Sequence, residues 1–313
     1  MKGKSEMEIA VNGSRLKPEN KETAMPTPLR SAIVTGASTG IGQACATRLV
    51  GEGWRVFAGV RKPEDAERLT AELGDHLVPL IIDVTDNDTV LKAAAAVREA
   101  LDGRTLDGLV NNAGITVAGP MLDLPLEDFQ QQLDVNVTGI VRVTQAFGPL
   151  LGVDEDLAGG PGRIVMMSSV AGEMGAPFLG PYAASKHAVE GLSKSLRREL
   201  MLYGIDVVVI GPGAVATPIW EKAEEVDPEP YRATRFYEPL LRIRNWMTRN
   251  GPEGFPPSKI ADRVFLALTE DKPRFRYAIV PQRLTNWSLP KLLPERMVDN
   301  MIAKRIGLQR TYR

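Results

Sequence analysis

The chain has 313 residues, 43% hydrophobic and 25% charged, and carries a formal net charge of −1. That composition fits one large or two small globular α/β units with a substantial core, and it excludes a broad basic surface for nucleic acid. Cys45 is the single cysteine, which excludes an intramolecular disulfide and a multi-cysteine zinc site, fits a reducing compartment and sets the expectation of a cytoplasmic protein.

Met1 to Pro28 is polar and charged and lacks an apolar signal core, so residues 1–28 are expected to form a disordered tail. Ser31–Thr35 then reads as a short buried strand. Ile41–Glu52 reads as a helix, Arg55–Val60 as a second strand, and Pro63–Leu73 as a helix with proline in its first turn. Leu77–Ile82 is a third strand, and Asp86 caps an alanine-rich helix running to Leu101. Leu106–Asn111 is a fourth strand. A long helix over Leu126–Leu151 follows, interrupted near Gly148-Pro149.

Arg163–Met167 is a fifth strand, Pro181–Tyr203 a helix closed by Gly204, and Asp206–Ile210 a sixth strand. Ser258 is a candidate cap for a helix through Leu268, and Arg276–Val280 a last strand. Strand–helix alternation of this kind predicts an α/β fold: a doubly wound, Rossmann-type parallel sheet of about seven strands with helices on both faces. Runs such as DVVVI lack polar alternation, as strands covered on both faces do.

Residues 29–285 are expected to form a single domain of this type. The segment 218–257 breaks the rhythm. It is rich in Pro, Trp, Tyr and Phe and follows the carboxyl end of the sixth strand, where open α/β sheets place ligands. It reads as a substrate lid, with a structural arm or subunit contact as the alternative. Residues 286–313 form a C-terminal extension in which Met297, Met301, Ile302 and Ile306 recur at helical spacing. Docking on protein is the first reading of that helix and a membrane surface the second.

The turn after the first strand reads Thr35-Gly36-Ala37-Ser38-Thr39-Gly40-Ile41-Gly42 and opens directly into a helix. Its glycines let backbone N–H groups approach a pyrophosphate, and the helix N-terminus adds favourable partial charge. Tyr182 and Lys186 lie four apart on a predicted helix and share a face. A phenol near pKa 10 is a poor base at neutral pH, and an ammonium beside it lowers that value.

These segments together resemble the short-chain dehydrogenase/reductase superfamily in its shorter, single-domain branch. TGASTGIG resembles its cofactor loop; Asn111-Asn112-Ala113-Gly114 its NNAG turn; Tyr182-Ala183-Ala184-Ser185-Lys186 its Y-x-x-x-K; and Pro212-Gly213 with Thr217 its nicotinamide-side loop. The resemblance implies a cofactor site built from Gly36, Ser38, Thr39, Gly40, Ile41, Gly42, Arg61, Asp83, Val84, Asn111, Ala113 and Gly114. Tyr182, Lys186, Pro212, Gly213, Val215 and Thr217 complete it. It also implies a catalytic set of Asn136, Ser169, Tyr182 and Lys186, in which Tyr182 exchanges a proton with the substrate oxygen. Lys186 would hold the nicotinamide ribose, Ser169 would orient the carbonyl, with Ser168 as the alternative, and Asn136 would fix a water.

Val60 stands where an acidic residue would favour NAD(H), and Arg61-Lys62 follow. A guanidinium there grips a 2′-phosphate, so NADP(H) is preferred, with NAD(H) as the alternative. Thr39 departs from relatives that carry a basic residue in the glycine loop. His76 and His187 stand far apart, and no metal site is expected. The expected reaction moves a hydride between nicotinamide and a ketone or secondary alcohol. The expected substrate is apolar, loosely like those of hydroxysteroid and retinol dehydrogenases. The resemblance implies a homodimer or homotetramer. The rival reading is a catalytically silent dinucleotide-binding sensor or scaffold.

Overall fold

The structure is a computed structural model that describes residues 29–220, 227–251 and 253–309. The tail expected over 1–28, part of the expected lid (221–226 and Pro252) and residues 310–313 lie outside the described residues. Seven strands form one sheet: β1 (Ser31–Thr35), β2 (Arg55–Val60), β3 (Leu77–Ile81), β4 (Gly108–Asn111), β5 (Arg163–Met167), β6 (Asp206–Pro212) and β7 (Arg276–Ile279). Their order is β3-β2-β1-β4-β5-β6-β7, and every adjacent pair is parallel. The order reverses between β1 and β4, which opens a crevice at the carboxyl ends of those strands.

The helices are α1 (Gly40–Gly51), α2 (Pro63–Leu73), α3 (Asn87–Leu101), α4 (Leu126–Leu133), α5 (Gly139–Phe147), α6 (Gly180–Glu199), α7 (Tyr237–Asn250), α8 (Pro257–Thr269) and α9 (Glu295–Ile306). They cover both faces of the sheet, and consecutive strand residues feed opposite sides. Ala32, Val34, Val56, Ala58, Val208 and Ile210 pack with Cys45 and Leu49 of α1 and Ile260 and Val264 of α8. Ile33, Phe57, Val207 and Val209 pack with Val97 of α3, Val143 of α5 and Val189 of α6. Each fully buried Leu, Ile or Phe contributes about 1.5–3 kcal/mol relative to exposure, so both faces of each strand stay apolar. Cys45 is buried without a disulfide, and burial pushes its thiol up to about 12.

Four differences from the expected elements have physical causes. β4 begins at Gly108, because the Leu106 amide bonds to Leu150 and the Asp107 carboxylate accepts from Ser31 instead of joining the ladder. The long helix over 126–151 is divided by a π-turn at Asp134–Thr138 and ends in a 3₁₀ turn from Gly148. The 218–257 segment contains the fourteen-residue helix α7. The cap before α8 is Pro256, with Pro257 in the first turn, not Ser258.

The C-terminal helix docks on the protein. Ile306, with Ile302, packs against Phe178, Tyr231 and Leu240, joined by Phe236 and Ile243. Among the described residues no helix is long and apolar enough to cross a membrane.

Candidate active site

The turn between β1 and α1 is built by close approach. Gly36 has φ +64°, and a Cβ there would stand 2.9 Å from the Ala113 Cα. A Cβ on Gly42 would meet the Gly36 carbonyl oxygen at 2.1 Å and Asn112 Nδ2 at 2.6 Å. Gly40, at φ +57°, faces Thr217, whose methyl would lie 3.1 Å from an added Cβ. Thr39 caps α1 in an extended conformation and makes no side-chain cap bond. The first-turn N–H groups of α1 are thus left for an anion. The cradle fits a dinucleotide pyrophosphate, with Ser38, Thr39, Gly40, Ile41 and Gly42 as its rim.

The NNAG turn splits its work between neighbours. Asn111 is buried, and its amide donates to Thr144 Oγ1 at 3.1 Å and to Met166 Sδ at 3.5 Å. Its side chain therefore turns into the core, not toward the cradle. Asn112, which the sequence reasoning did not single out, latches the glycine turn instead. Its Nδ2 donates to the carbonyls of Thr35 at 2.9 Å and Gly36 at 3.1 Å. The Asn112 and Ala113 amides both donate to Thr35 Oγ1 at 3.1 Å. Gly114 lies against Asn136, 3.2 Å from its Oδ1 to an added Cβ.

The side expected to face the adenine carries charge. Arg61 is exposed just after β2. Asp83 and the buried Val84 follow β3. Burial raises the Asp83 carboxyl, but two hydrogen bonds from Thr85 and the charges of Arg61 and Arg142 hold it below its usual value. Arg68 of α2 donates to the Ser38 carbonyl at 2.5 Å, a second guanidinium at the glycine turn that the one-dimensional pattern did not reveal.

The groups expected to be catalytic lie together at the carboxyl ends of β5 and β6. Ser169 follows β5, and its Oγ accepts from the Ala171 amide at 3.1 Å. The Ser169 hydroxyl donates to the Pro212 carbonyl at 3.5 Å and lies near enough to the Tyr182 phenol to hold its value down against burial. Ser168 faces the other way, donating to Glu190 Oε1 at 2.7 Å. Lys186 is buried, donates to the Met167 carbonyl at 2.8 Å and has its Nζ 5.7 Å from the centre of the Tyr182 ring. Pro212 ends β6, the Gly213 amide donates to Ile279 at 2.9 Å, and Val215 accepts from Trp220 Nε1 at 2.6 Å.

Asn136 is fully buried in the π-turn. Its Oδ1 accepts from the Ile115 amide at 2.9 Å, and its Nδ2 donates to the Ile115 carbonyl at 3.0 Å and to Ser185 Oγ at 3.1 Å. Ser185 in turn donates to the Tyr182 carbonyl at 2.7 Å. Gln132, another buried residue not singled out beforehand, donates to the Ile115 carbonyl at 2.9 Å and accepts from the Val117 amide at 2.6 Å.

The electrostatics differ from the expected arrangement. Burial pushes the Tyr182 phenol above its ordinary value, offset in part by the Ser169 hydroxyl. Burial also brings Lys186 down to about 8, against the opposing pull of Glu190. The sequence-based expectation had Lys186 lowering the phenol. Here the ammonium is committed to Met167, and the phenol's stabilising partner is Ser169. A phenol of raised pKa stays protonated at neutral pH and suits proton donation.

A shallow apolar pocket, with room for about one water molecule, lies between Ala118, Phe178, Leu179 and the α7 residues Leu240, Ile243 and Met247, with Arg244 on its wall. Among the described residues no cluster of three or more His, Cys, Asp or Glu side chains is placed to hold a metal ion.

A glycine turn shaped for a pyrophosphate at the switch point of a doubly wound sheet, with a buried phenol and ammonium beyond it, fits a nicotinamide-dependent oxidoreductase. The chain belongs to the short-chain dehydrogenase family, whose profile matches residues 30–227, and it is an enzyme of that family's kind, acting on CH–OH groups. It is 38% identical over 276 residues to the NADPH-dependent 3-dehydrocapnine reductase of Ornithobacterium rhinotracheale, covering 88% of this chain and 97% of that protein. A structure of a variant actinorhodin polyketide ketoreductase with NADPH superposes with a TM-score of 0.69 at 32% identity, covering 83% of this chain and 98% of that one. A short-chain dehydrogenase/reductase from Burkholderia phymatum in complex with NAD superposes with a TM-score of 0.72 at 26% identity, covering 87% and 95%.

Proposed function

We propose that the protein is an NADPH-dependent carbonyl reductase that converts an apolar ketone to a secondary alcohol. The observation that carries the reading is the convergence of Ser169, Tyr182 and Lys186 at the sheet edge, beside the glycine cradle. The bound nicotinamide supplies the hydride. Tyr182 donates the proton to the carbonyl oxygen as negative charge develops there, and Ser169 Oγ holds the same oxygen. Lys186 provides a nearby positive charge and a donor for the ribose. Asn136 and Gln132 fix the loop around Ile115 that faces the reacting centre.

Arg61, with Arg68 bonded to the Ser38 carbonyl in the glycine turn, supports a 2′-phosphate and hence NADPH over NADH. The NADPH-dependent relative supports the same choice. The apolar side chains that α7 presents beside Phe178 and Leu179 support an apolar substrate, with α7 as the lid that would move to admit it. Homo-oligomeric assembly rests on the family resemblance and is checked by light scattering. The central test is NADPH oxidation over a panel of apolar ketones with wild type and Tyr182→Phe. The variant should lose about 10²-fold or more in kcat; equal turnover would overturn the assignment.

A further inference from the structure

Behind the reacting groups lies a buried charge network that the mechanism above does not use. Glu190 sits one helical turn beyond Lys186 on α6, and its side chain is 6% exposed. Its Oε1 accepts from Ser168 Oγ at 2.7 Å and from Arg276 Nε at 2.9 Å. Arg276, on β7, also donates from Nη2 to the Ser169 carbonyl at 3.2 Å and pairs with Glu173 at 2.9 Å. Glu173 pairs in turn with Lys291. The indole of Trp287, itself buried, lies 5.0 Å from the Arg276 guanidinium and 3.8 Å from Lys291 Nζ. Gly211 leaves the room this requires, since a Cβ there would meet Arg276 Nη2 at 2.6 Å.

We infer that Glu190 and Arg276 are positioning residues, which hold the Ser168–Ser169 turn and set the charge on Lys186 from behind the active site. The inference rests on the proposed reductase reading. The network grips both serines of the turn, one through its hydroxyl and one through its carbonyl. The Ser169 hydroxyl is thereby aimed at Tyr182, and Ser168 is turned away from it. Glu190 contributes a negative charge on the helix that carries Lys186 and favours its ammonium. Arg276 moderates that charge.

Among the described residues, the groups facing this centre include Tyr182 and Glu190 on α6, the Met167 carbonyl on β5, Arg276 on β7, Glu173 after β5, and Lys291 from the C-terminal segment. The segment carrying Trp287 and Lys291 therefore closes the rear of the site and is more than an appendage.

The experiment is the pH profile of kcat/KM for NADPH-driven ketone reduction, in wild type, Glu190→Gln and Arg276→Gln. Glu190→Gln keeps the size and the Ser168 hydrogen bond but removes the charge. Its Lys186-linked limb should lie below that of wild type, by about 1 unit, because the charge that favours the ammonium is gone. Arg276→Gln removes the positive charge paired with Glu190, so its limb should move upward. Arg276→Lys should restore part of the shift. A purely structural network would give lower rates with an unmoved limb, and that result overturns the inference. Limbs shifted in the same direction in both Gln variants overturn it as well. If Glu190→Gln does not fold, the sign of the Arg276→Gln shift decides alone. Inactivity of wild type on every ketone would count against the reductase reading, whereas an active wild type with unshifted variants counts against the network alone.

Discussion

Lys186 and Tyr182 stand one helical turn apart on α6, yet the ammonium bonds to the Met167 carbonyl at 2.8 Å and lies 5.7 Å from the phenol ring centre. The pair shares a site without a direct hydrogen bond, and burial acts on each separately. It raises the phenol and lowers the ammonium to about 8.

A stability consequence follows with a definite sign. The folded-state value of Lys186 is about 8 against 10.5 for a free lysine. Between those values the unfolded chain binds more protons than the folded one, so this group makes stability rise as pH increases from about 8 to 10.5. Lys186→Met should flatten that rise in a series of thermal midpoints. An identical slope in the variant would show that the ammonium is not buried in solution.

Cofactor choice depends on the exposed guanidinium after β2. Arg61→Ala should weaken NADPH roughly tenfold or more while leaving NADH nearly unchanged, because only NADPH offers the 2′-phosphate. Titration by quenching of tryptophan fluorescence measures both. Equal losses would move the phosphate contact to Arg68, whose guanidinium already reaches Ser38.

Replacing a glycine by alanine inside a helix ordinarily adds up to about 1 kcal/mol of stability. Gly42→Ala should do the opposite. Its new methyl would overlap the Gly36 carbonyl and the Asn112 amide, and prising them apart opens the turn that cradles the pyrophosphate. A lower thermal midpoint together with weaker NADPH binding is expected, and a stabilised variant would refute the close approach.

The C-terminal helix should matter to substrate more than to cofactor. Ile306→Ala removes contacts with Phe178, Tyr231 and Leu240 at a cost of about 2 kcal/mol. KM for a bulky apolar ketone should rise while the NADPH Kd stays constant. Parallel changes in both would place the helix's influence on the whole sheet.

Much of the fold could be read from residues alone, for a physical reason. Strands buried on both faces are short apolar runs bounded by polar or glycine residues, and β1, β2 and β5 match the expected ranges. Tyr182 and Lys186 were legible as neighbours through spacing, because i to i+4 on a helix leaves one geometry, whereas Ser169 was reached only through the family resemblance.

The misses have equally physical origins. Asn111 and Asn112 are neighbours on an extended chain, so they face opposite ways, and a sequence does not say which one faces the glycine turn. α7 carries three arginines and a proline near its start, a pattern that reads as irregular until its apolar side meets Phe178 and α9. The network through Glu190 and Arg276 joins residues 86 positions apart, a separation no local pattern reports.

Cys45 has a use that follows from where it lies. The thiol sits in the middle of α1, under the first strands, and burial holds it near 12, so reagents that attack thiolates find nothing to react with while the sheet is closed. The protein thereby carries a native reporter of its own opening. Labelling rates, followed with and without saturating dinucleotide, would time how often the cradle's supporting helix lets go and how far a bound nucleotide slows it.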